Sequence, residues 1–210
     1  MLKVVCTSDT HGRTFHKHVP DGDILIHCGD GAGLSASATE KLNDAFGKLP
    51  HEYKIYVPGN HDGFIYEAPD EARRVLYNAQ ILIDEGVTIN GIRIYGSPYT
   101  PLFQNWFFMH PHNSAELAAV WKKVPNFLDI LVTHGPPFSI LDSNQEGYHC
   151  GCELLYTEIT ERIKPRYHLF GHIHEGFGQR TPMGSSTTFI NCAFVDRGIT
   201  PSNYPVVIDV

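Results

Sequence analysis

Residues 53–63 read Y-K-I-Y-V-P-G-N-H-D-G. The first five are mostly aromatic and β-branched, which predicts a strand. Pro58 and Gly59 stop it, and an amide, an imidazole and a carboxylate then follow in a row as Asn60, His61 and Asp62. A plain turn needs only one such polar residue. Loops at strand ends are where a sheet presents chemistry to solvent. If this stretch is a strand that carries part of a site, other strands must end in partner motifs.

They do. Apolar runs at 2–6, 24–28, 129–133 and 167–170 predict strands buried on both faces. Asp9-Thr10-His11 follows the first run and Gly29-Asp30 the second. Thr133-His134-Gly135 follows the third, and Gly171-His172-Ile173-His174-Glu175 the last. Asn90-Gly91, set between the alternating apolar residues of 86–96, predicts a hairpin. Helices are expected at 36–48, 69–78, 113–123 and 152–163. The last carries Leu154, Leu155, Ile159 and Ile163 on one stripe. Residues 187–191 and 205–209 predict further strands. No repeat or linker divides the chain, so residues 1–210 are expected to form a single α/β domain of mixed sheets with helices outside.

Composition narrows the function classes. The hydrophobic share of 42% and charged share of 19% describe a globular chain. The net charge is −7, and the basic pairs Arg73-Arg74 and Lys122-Lys123 are isolated. With no basic stripe, a long nucleic-acid partner is not expected. No apolar run approaches the roughly 18 to 20 residues of a membrane span. The start, MLKVVCTSDTHG, lacks the apolar centre of a signal peptide. A cytoplasmic, membrane-free protein is expected. Cys6, Cys28, Cys150, Cys152 and Cys192 make an odd count that fits reduced, structural thiols. The Cys150-Gly-Cys152 spacing matches neither the usual redox pair nor a zinc site.

Histidine is the unusual residue, with 13 copies. Each polar motif alone fits an ordinary turn, cap or surface His, although His172 and His174, as alternate residues of an extended segment, are expected to point the same way and share a site. Together they concentrate Asp and His at a cost that bound cations remove. Two Asp, four His and one Asn offer O and N donors without thiolate, a set for Mn2+, Fe, Mg2+ or Zn2+. Seven donors exceed one tetrahedral ion and suit two. Asp30 follows a central strand and is the natural bridge.

The series D-x-H (9–11), G-D (29–30), G-N-H-D (59–62), T-H-G-P-P (133–137) and G-H-I-H (171–174) resembles the calcineurin-like metallophosphoesterases. Y-G-S-P-Y-T-P-L-F-Q-N-W (95–106), G-C-E-L-L (151–155), F-I-N (189–191) and P-S-N-Y-P (201–205) resemble its small MPPED-type branch. That branch is similar to class III cyclic-nucleotide phosphodiesterases at the metal site. The resemblance implies a four-layer α/β/β/α sandwich of two mixed sheets, with metals at the strand C-terminal loops. It implies that Asp9, His11 and His174 hold one ion, that Asn60, His134 and His172 hold the other, and that Asp30 bridges both. Mn2+ or Fe is the first expectation, with Mg2+, Zn2+, Co2+ or Ni2+ as alternatives. It also implies that Asn60 faces the phosphate, that His61 is the general acid and that Asp62 orients the His61 imidazole. One departure is Gly31-Ala32-Gly33-Leu34-Ser35, where the branch has an aromatic residue or Thr soon after the Asp.

The implied reaction is attack on phosphorus by a hydroxide shared between two ions, with His61 protonating the leaving oxygen. The expected substrates are small diesters: 2′,3′- or 3′,5′-cyclic nucleotides and aryl phosphodiesters. A phosphomonoesterase or phosphoprotein phosphatase on the same site is the alternative, and a non-catalytic scaffold a further one. The aromatic segment 95–110 is either packing or a substrate wall, and Trp106 is the residue expected to contact substrate.

Overall fold

A computed structural model describes residues 1–210. The first sheet contains β1 (Lys3–Thr7), β2 (Ile24–His27), β3 (Tyr53–Tyr56), β4 (Gln80–Ile81) and β13 (Val206–Asp209), in the order β13-β1-β2-β3-β4. β1 to β4 run parallel, and β13 is antiparallel on the edge. The second sheet has the order β11-β12-β10-β9-β6-β5. Its members are β5 (Glu85–Ile89), β6 (Ile92–Ser97), β9 (Ile130–Thr133), β10 (Tyr167–Phe170), β11 (Gly178–Arg180) and β12 (Thr188–Asn191). β6, β9, β10 and β12 are parallel neighbours. β7 (Thr100–Pro101) and β8 (Met109–His110) pair apart from both sheets.

Alternation along each strand builds the layers. Val4, Cys6, Ile24, Ile26 and Ile55 meet Ile130, Val132, Leu169 and Ile190 in a core between the two sheets. Val5 and Leu25 point the other way, onto Leu42 and Phe46 of α1 (Ala36–Gly47), Ile65 of α2 (Gly63–Glu67) and Ala72 of α3 (Pro69–Val75). Leu131 and Phe170 pack on Leu117 and Trp121 of α4 (Ala115–Lys123) and Leu155 of α5 (Glu153–Glu158). This is the expected four-layer α/β/β/α sandwich.

Local signals act as the sequence predicts. Ser35 and Ser114 accept hydrogen bonds from Ala38 N and Leu117 N at the starts of α1 and α4. Asn90 and Gly91 both have positive φ, and Ile89 pairs with Ile92 across a two-residue hairpin. α5 widens into a π-helical turn at Ile159–Ile163 and stops at Lys164, in left-handed conformation. No helix is long and apolar enough to cross a membrane. All five cysteines are free, and Cys6, Cys28, Cys152 and Cys192 are buried.

Candidate metal centre

The parallel strands β1, β2, β3, β9 and β10 all deliver their C-terminal loops to one end of the sandwich. Asp9, His11, Asp30 and His172 there have φ of 54°, 43°, 59° and 67°. Left-handed backbone costs a non-glycine residue roughly 1–2 kcal/mol, and such residues cluster where function over-determines the geometry. Each reversal folds the side chain back over the strand ends. Asp9 N and His11 N donate to Gly29 O and Asp30 O, both at 2.8 Å, which lashes the first two loops together. A Cβ on Gly59 would overlap Asp30 Oδ1, and one on Gly171 would overlap Asp9 Oδ2. Only glycine lets these loops approach so closely.

All seven expected ligands converge. Asp30 Oδ1 accepts from His61 N at 2.8 Å, which leaves Oδ2 free. That oxygen lies 3.4 Å from His134 Nε2, 3.9 Å from His11 Nε2 and 4.0 Å from His61 Nε2. His134 Nε2 is 2.8 Å from Asn60 Oδ1, and the His134 and His172 rings lie edge to face with centroids 4.9 Å apart. His11 Nε2 and His174 Nε2 stand 3.3 Å apart, and His174 Nε2 is 3.5 Å from Asp9 Oδ1. Donor atoms of Asp9, His11 and His174 form one tight group, and those of Asp9, Asp30 and His134 another.

The chemistry of this donor set fits cations. Asp9 Oδ1 is buried with no hydrogen-bond partner, while Oδ2 accepts from His172 N at 2.9 Å. His134 donates Nδ1–H to Cys28 O at 2.8 Å, and His174 donates Nδ1–H to Asp196 O at 3.0 Å. Each bond fixes the tautomer and directs the Nε2 lone pair to the centre, as outer partners of metal-ligating histidines do. Backbone carbonyls do this work, so no side-chain motif announces it.

Charge is strongly coupled here. Burial alone would raise the Asp9 carboxyl, but the nearby His174 and the charge of His134 bring it down to about 2. Burial also opposes ionisation of Asp30, yet His134, His11 and His61 hold it well below the carboxylate range. Burial would lower His134, but the Asp30 carboxylate outweighs it and lifts His134 to about 9. Burial pushes His172 down to about 4. A ligating imidazole is neutral, so cation binding here releases the His134 proton.

Two expectations need correction. Asp62 does not orient the His61 ring. Its Oδ2 accepts from Tyr56 Oη at 2.6 Å, Gly59 N at 2.7 Å and Asp30 N at 3.0 Å. Its Oδ1 accepts from Ala32 N at 2.8 Å and Gly33 N at 3.0 Å. Asp62 is a buried clamp between the loops after β2 and β3, because the Asn60–Asp62 segment is a tight turn that sends the carboxylate inward. The unusual Gly31-Ala32-Gly33 stretch contributes its backbone N–H groups to this clamp and to Tyr56 Oη. Likewise, His172 and His174 do not share a face by strand alternation. The left-handed bend at His172 and a 3-10 turn at His174–Gly176 bring them together. Asn191 holds that bend by donating to Ile173 O at 2.8 Å.

A cleft of about 650 Å³ opens over the centre, with His11, Asp30, Asn60, His61, His172 and His174 on its floor. The aromatic segment divides. Tyr95 and Phe108 are core, while Phe103 and Trp106 are exposed and line the cleft. Trp106 lies 4.2 Å from His61, centroid to centroid. The His61 ring makes no hydrogen bond to protein and is 37% exposed. His149 also lines this cleft, its Nδ1 held by the buried Asp142, and sequence reasoning gave the pair no role.

A family model described as "Calcineurin-like phosphoesterase" matches residues 2–176. The chain is 38% identical to "Metallophosphoesterase domain-containing protein 1" of Homo sapiens, covering 99% of this chain and 71% of that protein. It is 39% identical to "UPF0046 protein K07C11.7" of Caenorhabditis elegans, covering 98% and 74%. The solved structure of "Phosphopantetheinyl Hydrolase (PptH) from Mycobacterium tuberculosis" superposes with a TM-score of 0.64 at 15% identity, covering 98% of this chain and 95% of that one. That likeness shows the fold.

Proposed function

The chain belongs to the calcineurin-like phosphoesterase family, a metal-dependent class, and from that premise we propose that it hydrolyses small phosphodiesters at a centre of two divalent ions. The observation that carries this reading is the free oxygen of Asp30, 3.4 Å from His134 Nε2 in its own donor group and 3.9 Å from His11 Nε2 in the other. In it, Asp9, His11 and His174 hold one ion, Asn60, His134 and His172 hold the other, and Asp30 is shared. When bound, the ions supply Lewis-acid polarisation of the phosphoryl group and a water acidic enough to attack it. Mn2+ or Fe suits the O and N donors.

The remaining chemistry falls to the protein. His61 has a free ring beside Asp30, placed to donate a proton to the leaving oxygen, a contribution of about 10² to 10⁴-fold. Asn60 directs its amide to the same floor and can hold a phosphoryl oxygen. Phe103 and Trp106 give an aromatic or heterocyclic group a surface to lie on. The cleft volume suits a nucleotide-sized molecule. Free thiols support a reducing, cytoplasmic setting, with residues 1–210 acting as one unit.

The test is an assay of the metal-reconstituted protein on bis-aryl and mono-aryl phosphates beside 2′,3′- and 3′,5′-cyclic nucleotides. Diesters are expected to be turned over in preference to monoesters. Preference for monoesters would replace this reading with a phosphatase.

A further inference from the structure

His149 lines the same cleft as His61 and Trp106 but belongs to neither group of expected ligands. Its Nδ1 lies 2.7 Å from Asp142 Oδ1, with Ser143 Oγ more distant at 3.4 Å. Asp142 is 1% exposed, and its second oxygen accepts from Ser139 N at 2.9 Å and Gly151 N at 3.0 Å. The carboxylate therefore cannot turn, and the loop it closes is already fastened by backbone. The imidazole is not needed for that purpose, and its Nε2 has no protein partner. The ring is tilted against Phe138 at 5.2 Å between centroids, which fixes its plane. In the neutral ring, a carboxylate that takes Nδ1–H places the lone pair on Nε2.

We propose that the Asp142–His149 pair is a specificity element, in which Nε2 of His149 accepts a hydrogen bond from a hydroxyl or N–H group on the part of the substrate that is not the leaving group. The inference rests on the phosphodiesterase reading for its substrate class. It selects diesters whose retained group carries hydrogen-bond donors over plain alkyl or aryl diesters. Asp142 is a positioning residue. In Asp142→Asn the two backbone donors keep the amide oxygen on their side, so the amide N–H₂ meets Nδ1. The imidazole proton must then move to Nε2, which becomes a donor.

The probes are thymidine 5′-(4-nitrophenyl phosphate) and methyl 4-nitrophenyl phosphate. They share a leaving group, and only the first carries hydroxyl and N–H donors. The ratio of their kcat/KM values should fall about tenfold in His149→Ala, chiefly through KM, as loss of roughly one hydrogen bond predicts. His149→Gln, with an amide oxygen near the Nε2 position, should recover part of the ratio, and His149→Asn should not. Asp142→Asn should lower the ratio although the ring is present. An unchanged ratio in His149→Ala, or equal losses on both esters with a lower Tm, overturns the proposal in favour of a loop fastener. If the metal-loaded wild type cleaves neither ester, the diesterase reading is what fails. Calorimetric binding of thymidine 5′-monophosphate then decides the pair: weaker binding to His149→Ala supports it, and equal binding rejects it.

Discussion

The Nε2 of His134 stands 3.4 Å from the free carboxylate oxygen of Asp30, and both side chains are almost completely buried. Two such groups in this proximity share a proton or a cation. Asp30→Asn keeps the shape and removes the charge. Elemental analysis of that variant should show at least one ion lost of the two expected, with activity strongly reduced. Full occupancy and normal turnover would remove Asp30 from its bridging role.

The His61 ring makes no hydrogen bond to the protein and stands partly open to the cleft. His61→Ala should keep both ions and the fold. Its kcat should fall about 10² to 10⁴-fold for alkoxide or ribose leaving groups, and much less for nitrophenolate, which departs without a proton. Loss of metal, or equal loss on both kinds of leaving group, would show that His61 is not the acid.

Trp106 sits at the rim of the cleft against His61. Trp106→Ala should raise KM for nucleotide substrates more than for a small aryl diester, since stacking is worth roughly 1–3 kcal/mol per base. Similar changes on both, with lower stability, would assign the ring to packing.

Asp62 receives five hydrogen bonds from two loops and Tyr56. Asp62→Ala strands those donors in a buried place, and denaturant unfolding should register a loss of about 3–5 kcal/mol. Metal affinity should fall with it, because the loop bearing Asp30 is held by this carboxylate. A stable, metal-replete Asp62→Ala with low kcat would instead restore the idea that Asp62 serves His61.

His27 and His168 are buried rings that burial holds at about 3. His27 donates Nε2–H to Thr10 Oγ1 and accepts Gly29 N–H at Nδ1. His168 bonds Thr133 through Nε2, and its Nδ1 has no partner. An unfolded His titrates near ~6.5. Between roughly pH 6.5 and 3 the unfolded chain therefore binds more protons, and stability falls with pH by up to about 1.4 kcal/mol per unit per ring. Urea unfolding in chelator from pH 7.5 to 5 should have a pH slope that is flatter in His168→Gln than in the unsubstituted protein by about one ring. An unaltered slope would place the effect elsewhere.

The sequence made the central strands legible because each is an apolar run closed by a polar motif, and parallel strands put those motifs at one end. β4, β7, β8 and β11 span two or three residues each, too short for any period to register. Asp62 was misread because its partners are mostly backbone N–H groups, which leave no mark on a sequence. The carbonyls of Cys28 and Asp196, which fix His134 and His174, were illegible for the same reason. Asp142 and His149 lie seven residues apart and meet only when the loop between them closes. Segment 95–110 gave its aromatic density but not its division, since Phe108 turns into the core at a positive φ while Trp106 stays at the surface.

The donor groups come from both sheets, and His11 and His174, which nearly touch, are 163 residues apart along the chain. A cation held between them would act as a reversible cross-link closing more than three quarters of the polypeptide into a ring. Such long closures form late in folding, because the entropy of the loop is lost before the contact forms. Ion uptake during refolding should thus mark the final docking of one sheet on the other, lagging behind the recovery of secondary structure. Once folded, each tenfold excess of ion over its Kd adds about 1.4 kcal/mol against unfolding.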